Sequence, residues 1–387
     1  MLREILVYFP YGILVAIAAI LPILILIDAG GTAFQVGLLA ALSAFCNLFG
    51  GFFWPKYLRI ANKASLIVMG YLGMFLGLLL LQEPRLVFVA TAIIAFFPRA
   101  IFYATISELK ARSHALSGSL GKFYKFASIA TAIGYVAGAV GTHFLSPIAF
   151  TKIVAFFALA SVPLLAGTLS EESLGRLMGR GMNEFRRMGS QIANHRIRLT
   201  RVEFGRDKIP FLLTSAIFSL SFGLVFSQRA NFVKTWRDSN FIVYALLFME
   251  MMLSALIYDL AGKEDQKGLY IGHALLMVCL VSFLLAIHYL SLPWIVTAYL
   301  FAGLFWPFIN IFYNSYGLGF SEELLGANLS ARSLFYMIGS LIGGFLVEQY
   351  GFFVSFSAGA GIAVLAPLPF LIGRKYMNKD INAELQS

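Results

Sequence analysis

The chain has 387 residues, of which 59% are hydrophobic, 12% are charged and 38 are Phe, a balance that no soluble domain carries. A formal net charge of +10 would suit a nucleic-acid binder, but the basic residues follow the apolar segments rather than forming a patch, so nucleic acid is excluded as a partner. The two cysteines, Cys46 and Cys279, lie in separate apolar segments, which excludes a disulfide framework and a thiolate metal site.

Twelve apolar runs fill the chain. They cover residues 5–27, 34–53, 64–81, 86–107, 123–145 and 148–169, then 209–228, 241–260, 269–287, 292–313, 329–347 and 352–372. About 20 apolar residues in a helix cross a hydrocarbon core of roughly 30 Å. Lipid offers the backbone no hydrogen-bond partner, so runs of this length must be helices. The first run could be taken for a signal peptide. Arg3 and Glu4 stand side by side at its start, it ends without a small-residue cleavage site, and eleven runs follow, so it reads as a retained span.

The basic residues orient these spans. With the N-terminus in the cytoplasm, 21 Lys and Arg fall in cytoplasmic segments, while four (Arg85, Arg229, Lys234 and Arg237) fall outside. That bias predicts a multi-pass protein of the cell membrane with both termini cytoplasmic. Arg99, Lys125, Lys152 and Arg332 lie within spans or at their edges. The lysines beside span five and Arg332 at the start of span eleven are covered by the same bias.

Residues 170–208 form the one compositional break and divide the spans six and six. Leu174, Leu177, Met178, Met182, Phe185, Met188 and Ile192 recur there at helical spacing, with Arg176, Arg180, Arg186 and Arg187 between them. The pattern predicts an interfacial amphipathic helix that turns its arginines toward anionic lipid headgroups; a disordered basic linker is the alternative. The predicted organisation is a six-helix bundle over residues 1–169, a basic linker over 170–208 and a second six-helix bundle over 209–387.

The two halves resemble each other. Gly134, Gly138 and Gly141 in span five resemble Gly339, Gly343 and Gly344 in span eleven, an offset near 205. The stretch Gly51–Arg59 resembles Ala255–Lys263 at an offset of 204. Two matches at nearly one shift argue for a duplicated six-helix unit, the parallel-repeat build of one large transporter class.

Two six-helix halves, a basic central loop and this repeat resemble the major facilitator superfamily over the whole chain. That family's loop after span two reads Gly-x-x-x-Asp-Arg/Lys-x-Gly-Arg/Lys. Here Gly51, Lys56 and Arg59 keep part of it, with Pro55 in the Asp position, while the second copy keeps Asp259, Gly262 and Lys263. The resemblance implies that Asp259, Gly262 and Lys263 help latch the cytoplasmic side. Glu108 and Arg112 are similar to a gating pattern at the inner end of span four. Span five has Gly138-Ala139-Val140-Gly141 where the antiporter signature wants Gly-Pro-x-x-Gly-Gly, so direction of transport stays open.

Arg99 and Glu250 interrupt spans four and eight. Each lies nine residues from an acidic residue at its inner boundary, Glu108 and Asp259, so both sit about 13 Å into the membrane. Mid-helix charges cost about 2.5–3.5 kcal/mol on insertion scales and mark function by default. In the family fold these spans face each other, so Arg99 and Glu250 are expected to pair across the interface and Glu250 to carry a coupling proton. A packed, protonated Glu250 and an Arg99 bonded to backbone carbonyls are the structural alternatives.

Tyr299, Trp306, Asn310 and Asn314 share one face of span ten, beside Pro307. With Tyr8 and Tyr11 of span one and Tyr103 of span four, they are expected to line a central cavity for a small-molecule substrate. Asn47 in span two reads as an interhelical hydrogen bond. The five His lie at span ends or in loops, and no phosphate loop or Gly-x-Ser-x-Gly elbow occurs, so neither enzyme chemistry nor a cofactor is expected. The expected protein is an all-α, monomeric secondary transporter coupled to protons or another ion. It exports lipophilic or aromatic compounds or takes up a metabolite; a non-transporting receptor or scaffold is the alternative.

Overall fold

The computed structural model describes residues 2–57, 63–112, 116–169, 208–263, 267–320 and 322–373. The expected interfacial helix of residues 170–208 lies outside the described residues, apart from Lys208. In chain order the first half comprises α1 (Leu2–Asp28), α2 (Ala33–Tyr57), α3 (Lys63–Leu80), α4 (Val87–Phe96), α5 (Arg99–Arg112), α6 (Leu116–Phe144) and α7 (Pro147–Leu169). The second comprises α8 (Ile209–Phe226), α9 (Arg229–Arg237), α10 (Asn240–Ala261), α11 (Lys267–Tyr289), α12 (Leu292–Phe320), α13 (Glu322–Tyr350) and α14 (Phe352–Leu365). Among the described residues, eleven spans are long and apolar enough to cross a membrane, with a shorter twelfth apolar stretch over Pro147–Val162. The described residues form an all-helical, multi-pass membrane fold of two six-helix bundles.

Two spans are built from broken helices. Pro98 has no N–H and interrupts the ladder between α4 and α5. The carbonyl of Phe96, which loses its helical donor there, accepts the indole N–H of Trp54 at 2.9 Å. Span seven breaks at Ser227 and Gln228, after which α9 continues it to Arg237. The expected external placement of Arg229 is therefore corrected. Span seven does not end at Gln228, and Arg229 sits inside it, about two turns from its end. By contrast, α12 runs unbroken through Pro307.

In the first bundle α1 packs on α6 and α7, and α3 on α7; in the second α8 packs on α13 and α14, and α11 on α12. The bundles meet along α6 with α10 and along α2 with α13. Glycines make this closeness possible. A Cβ on Gly134 would strike the Ile13 backbone of α1, and one on Gly339 would strike the Leu220 backbone of α8, so the repeated glycines seat matching helices on the first span of their own bundle. Gly138 and Gly344 face the other bundle, at Tyr244 and at Ala33 and Gly37 respectively.

Candidate functional site between the bundles

The face where α1 begins is called the terminal face here, and the other the opposite face. On its terminal side the interior is polar. Tyr124 of α6 stacks on Tyr258 of α10 with ring centroids 5.7 Å apart, one tyrosine from each bundle. The Asn314 amide donates to the Tyr124 hydroxyl at 3.1 Å and to Asn310 Oδ1 at 3.1 Å, while Asn310 donates to the Tyr258 hydroxyl at 3.3 Å. Spacing of four residues on α12 stacks the two amides, which join tyrosines of both bundles into one network. Tyr8 packs edge-on against Tyr11 and against Phe123 on the first-bundle side.

Arg99 follows the Pro98 break. Its Nε donates to Asn47 Oδ1 at 2.7 Å, the interhelical bond read from Asn47. Asn47 and Trp54 stand seven residues apart on one face of α2. One helix therefore both closes the break and aims the arginine. Tyr8, Tyr11 and Tyr103 lie within electrostatic reach of Arg99.

The pairing of Arg99 with Glu250 is corrected. Glu250 accepts from Arg229 Nη1 at 2.5 Å, with side-chain exposures of 6% and 15%, and both residues belong to the second bundle. Once α9 carries Arg229 into the membrane beside α10, a cation of its own bundle meets the carboxylate and none is needed from across the interface. Arg229 also stands over the rings of Phe226 at 4.9 Å and Tyr299 at 5.3 Å. Tyr299 is corrected as well. It is fully buried instead of lining a cavity, because at its depth α12 packs against Phe283 of α11 and the Arg229 side chain of α9. Tyr135 of the first bundle lies within electrostatic reach of the Arg229–Glu250 pair.

The general basic bias does not account for the place of Arg332, which no motif in the sequence marks. The helix begins at Glu322, not near residue 329, so Arg332 is three turns inside it, over Trp306 at 5.8 Å and Tyr313 at 5.3 Å.

The terminal face also carries an ion pair between Lys125 of α6 and Asp259 of α10, both partly exposed. Gly262 ends α10 one turn later, its N–H bonded to the Tyr258 carbonyl at 3.0 Å, and Lys263 is exposed beyond it. The side chains of Glu108 and Arg112 lie outside the described residues. An exposed pair is worth about 0–1 kcal/mol. Asp259→Asn or Lys125→Gln should therefore raise thiol labelling of a cysteine placed at this mouth up to about fivefold, and exchanging the two charges should restore the wild-type rate. Unchanged labelling in both single variants would remove the pair from gating.

The opposite face is tied more tightly, by residues that carry no motif. Lys234 of α9, with 8% side-chain exposure, bonds Asp28 of α1 at 3.1 Å and Asp238 at 2.9 Å. Glu348 of α13 accepts the Phe34 N–H at 2.8 Å, capping the start of α2 where the helix dipole favours a carboxylate. Gln228 donates to the Ala33 carbonyl at 3.2 Å. The signal that could have found Lys234 was a charge close to apolar spans with an acid four residues on.

No family model and no curated protein matches the sequence. Solved structures do match. The nucleoside transporter NupG aligns at a TM-score of 0.64 and 13% identity, over 96% of this chain and 98% of that one. A POT family transporter in complex with a thioalcohol-conjugated peptide aligns at 0.69 and 13%, over 97% and 96%. The human organic anion transporter MFSD10 aligns at 0.64 and 13%, over 95% and 98%. The fold is that of the major facilitator transporters. Within that fold, α1, α6, α10 and α12 frame the polar interior just described, and the three matching structures named above are described as transporters.

Proposed function

We propose that this protein is a secondary transporter that moves a small organic solute by alternating access of its two bundles. The observation that carries the reading is the hydrogen-bonded network of Tyr124, Tyr258, Asn310 and Asn314. It spans the bundle interface in a fold whose similar structures are named as transporters. A buried polar network costs free energy unless it is satisfied, and one shared by two rigid bundles changes partners when they rock. Glu250 supplies the coupling proton site in this reading, with Arg229 as its partner, and the basic bias places the terminal face in the cytoplasm.

The test uses purified protein in proteoliposomes, with a small-molecule panel first screened by thermal shift, because a bound ligand raises the melting temperature. Compounds that stabilise the protein should accumulate or exit when a pH gradient is imposed, and Asn314→Ala should reduce that flux about tenfold or more. Binding without flux in either gradient direction would favour the receptor reading.

A further inference from the structure

Three arginines lie well inside the described spans, and they are treated differently. Arg229 is neutralised at 2.5 Å by Glu250. Among the described residues, no carboxylate reaches Arg99 or Arg332. Arg99 spends one donor on Asn47 and otherwise faces the Phe102 ring at 5.8 Å. Among the described residues Arg332 has no hydrogen-bond partner and stands over the faces of Trp306 and Tyr313. A guanidinium has five N–H donors in a planar fork and no way to discard its charge. An arginine held for packing alone would spend those donors on carbonyls or a carboxylate, as Arg229 does. These two keep part of their side chains accessible although both lie inside their spans.

They also face each other's field. Arg332 lies within electrostatic reach of Arg99, and Tyr124 and Tyr258 lie within reach of Arg332. Arg99 belongs to the first bundle and Arg332 to the second, and both lie within electrostatic reach of Tyr124. On α13, Asn328 stands one turn before Arg332, fully buried, with both amide atoms lacking a protein partner among the described residues. The Tyr313 hydroxyl beneath Arg332 is likewise buried without a partner. Two unneutralised forks, aromatic faces and spare amide and hydroxyl groups together match one chemistry: an oxyanion attached to an apolar or aromatic body.

We infer that the solute is a small organic anion, a carboxylate or phosphate ester with an apolar body, held between Arg99 of one bundle and Arg332 of the other. The inference rests on the transporter reading and names its substrate class. The anion does what Glu250 does for Arg229, and it removes the repulsion that holds the two walls apart. Closure around the solute then becomes favourable only when the solute carries negative charge.

The test holds the ring constant and varies the charge. Thermal shifts of the purified full chain are measured with benzoate, phthalate and phenyl phosphate, and with benzyl alcohol and benzamidine as neutral and cationic counterparts. The anions should raise the melting temperature, and benzyl alcohol and benzamidine should not. Arg99→Gln and Arg332→Gln should each weaken anion binding about tenfold or more, with Arg→Lys intermediate because it keeps charge but loses the fork. Arg237→Gln, at the opposite face, should bind as wild type. Adding phosphatidylglycerol to the detergent separates sources: competition with benzoate would assign the site to a lipid headgroup and overturn a soluble solute. Equal shifts from benzyl alcohol or benzamidine, or wild-type benzoate affinity in both folded Gln variants, would also overturn the inference. If the Gln variants do not fold, the wild-type charge series and the Lys variants decide it. Arginine-dependent anion binding without flux in proteoliposomes would instead sink the transporter reading and leave the anion site standing.

Discussion

Glu250→Gln is expected to abolish proton-driven accumulation while leaving solute binding and gradient-free exchange near wild type. Gln is nearly isosteric and still accepts from Arg229 Nη1, so the bond at 2.5 Å is weakened rather than deleted. What is lost is the ability to change charge. A wild-type accumulation ratio in Glu250→Gln would make Glu250 a structural acid. Glu250→Ala asks a different question, because it strands Arg229 at 15% exposure without its anion. Removing one partner of a buried pair costs about 3–5 kcal/mol, so the melting temperature should fall steeply, and Arg229→Ala should do the same. The pair replaced together, as Glu250→Leu with Arg229→Met, should recover most of the loss, since contacting residues are not additive.

Gly344→Val should keep the opposite face from closing. A Cβ at Gly344 would meet the Ala33 carbonyl oxygen at 2.9 Å, Gly37 Cα at 3.0 Å and Phe34 Cα at 3.1 Å, all backbone that cannot turn aside. Overpacking of this kind costs about 1–3 kcal/mol, and Val adds two methyls beyond the Cβ. The cost falls only on the conformation in which α2 and α13 touch, so the population moves toward the state open on that face. Ser340, fully buried on α13, reports this directly. With Cys46 and Cys279 replaced by Ala, a Ser340→Cys thiol should label at least about tenfold faster in the Gly344→Val variant, and net transport should fall by a similar factor. Equal labelling would mean that α2 and α13 do not separate during the cycle.

Spans, the repeat and the repeated glycines were legible because lipid enforces helices of one length and because close helix approach selects small residues. Asn310 and Asn314 could be placed on one face for the same reason: the helical period is rigid. Charge partners were not legible. Whether Arg229 is a loop residue or a buried cation turns on two unwound residues, Ser227 and Gln228, and hydropathy averages across such a break. Arg332 was hidden likewise, because its helix starts seven residues before its apolar run. The opposite-face ties among Asp28, Lys234, Glu348 and Phe34 join residues up to 314 positions apart, a pairing that no local pattern encodes.

If the proposed anion site is right, two fixed positive charges in different bundles would also make transport responsive to voltage. One elementary charge crossing a membrane at 100 mV exchanges about 2.3 kcal/mol with the field, in proportion to the fraction of the field it crosses. In the proposed rocking of the bundles, Arg99 and Arg332 would move their charge through part of that field, whereas Arg229 and Glu250 would move together and contribute almost nothing as long as Glu250 is ionised. A bound dianion would cancel both arginines, so the loaded passage would feel the membrane potential least and the empty return would feel it most. The polarity of the membrane, rather than any single contact, would then set which half of the cycle limits turnover.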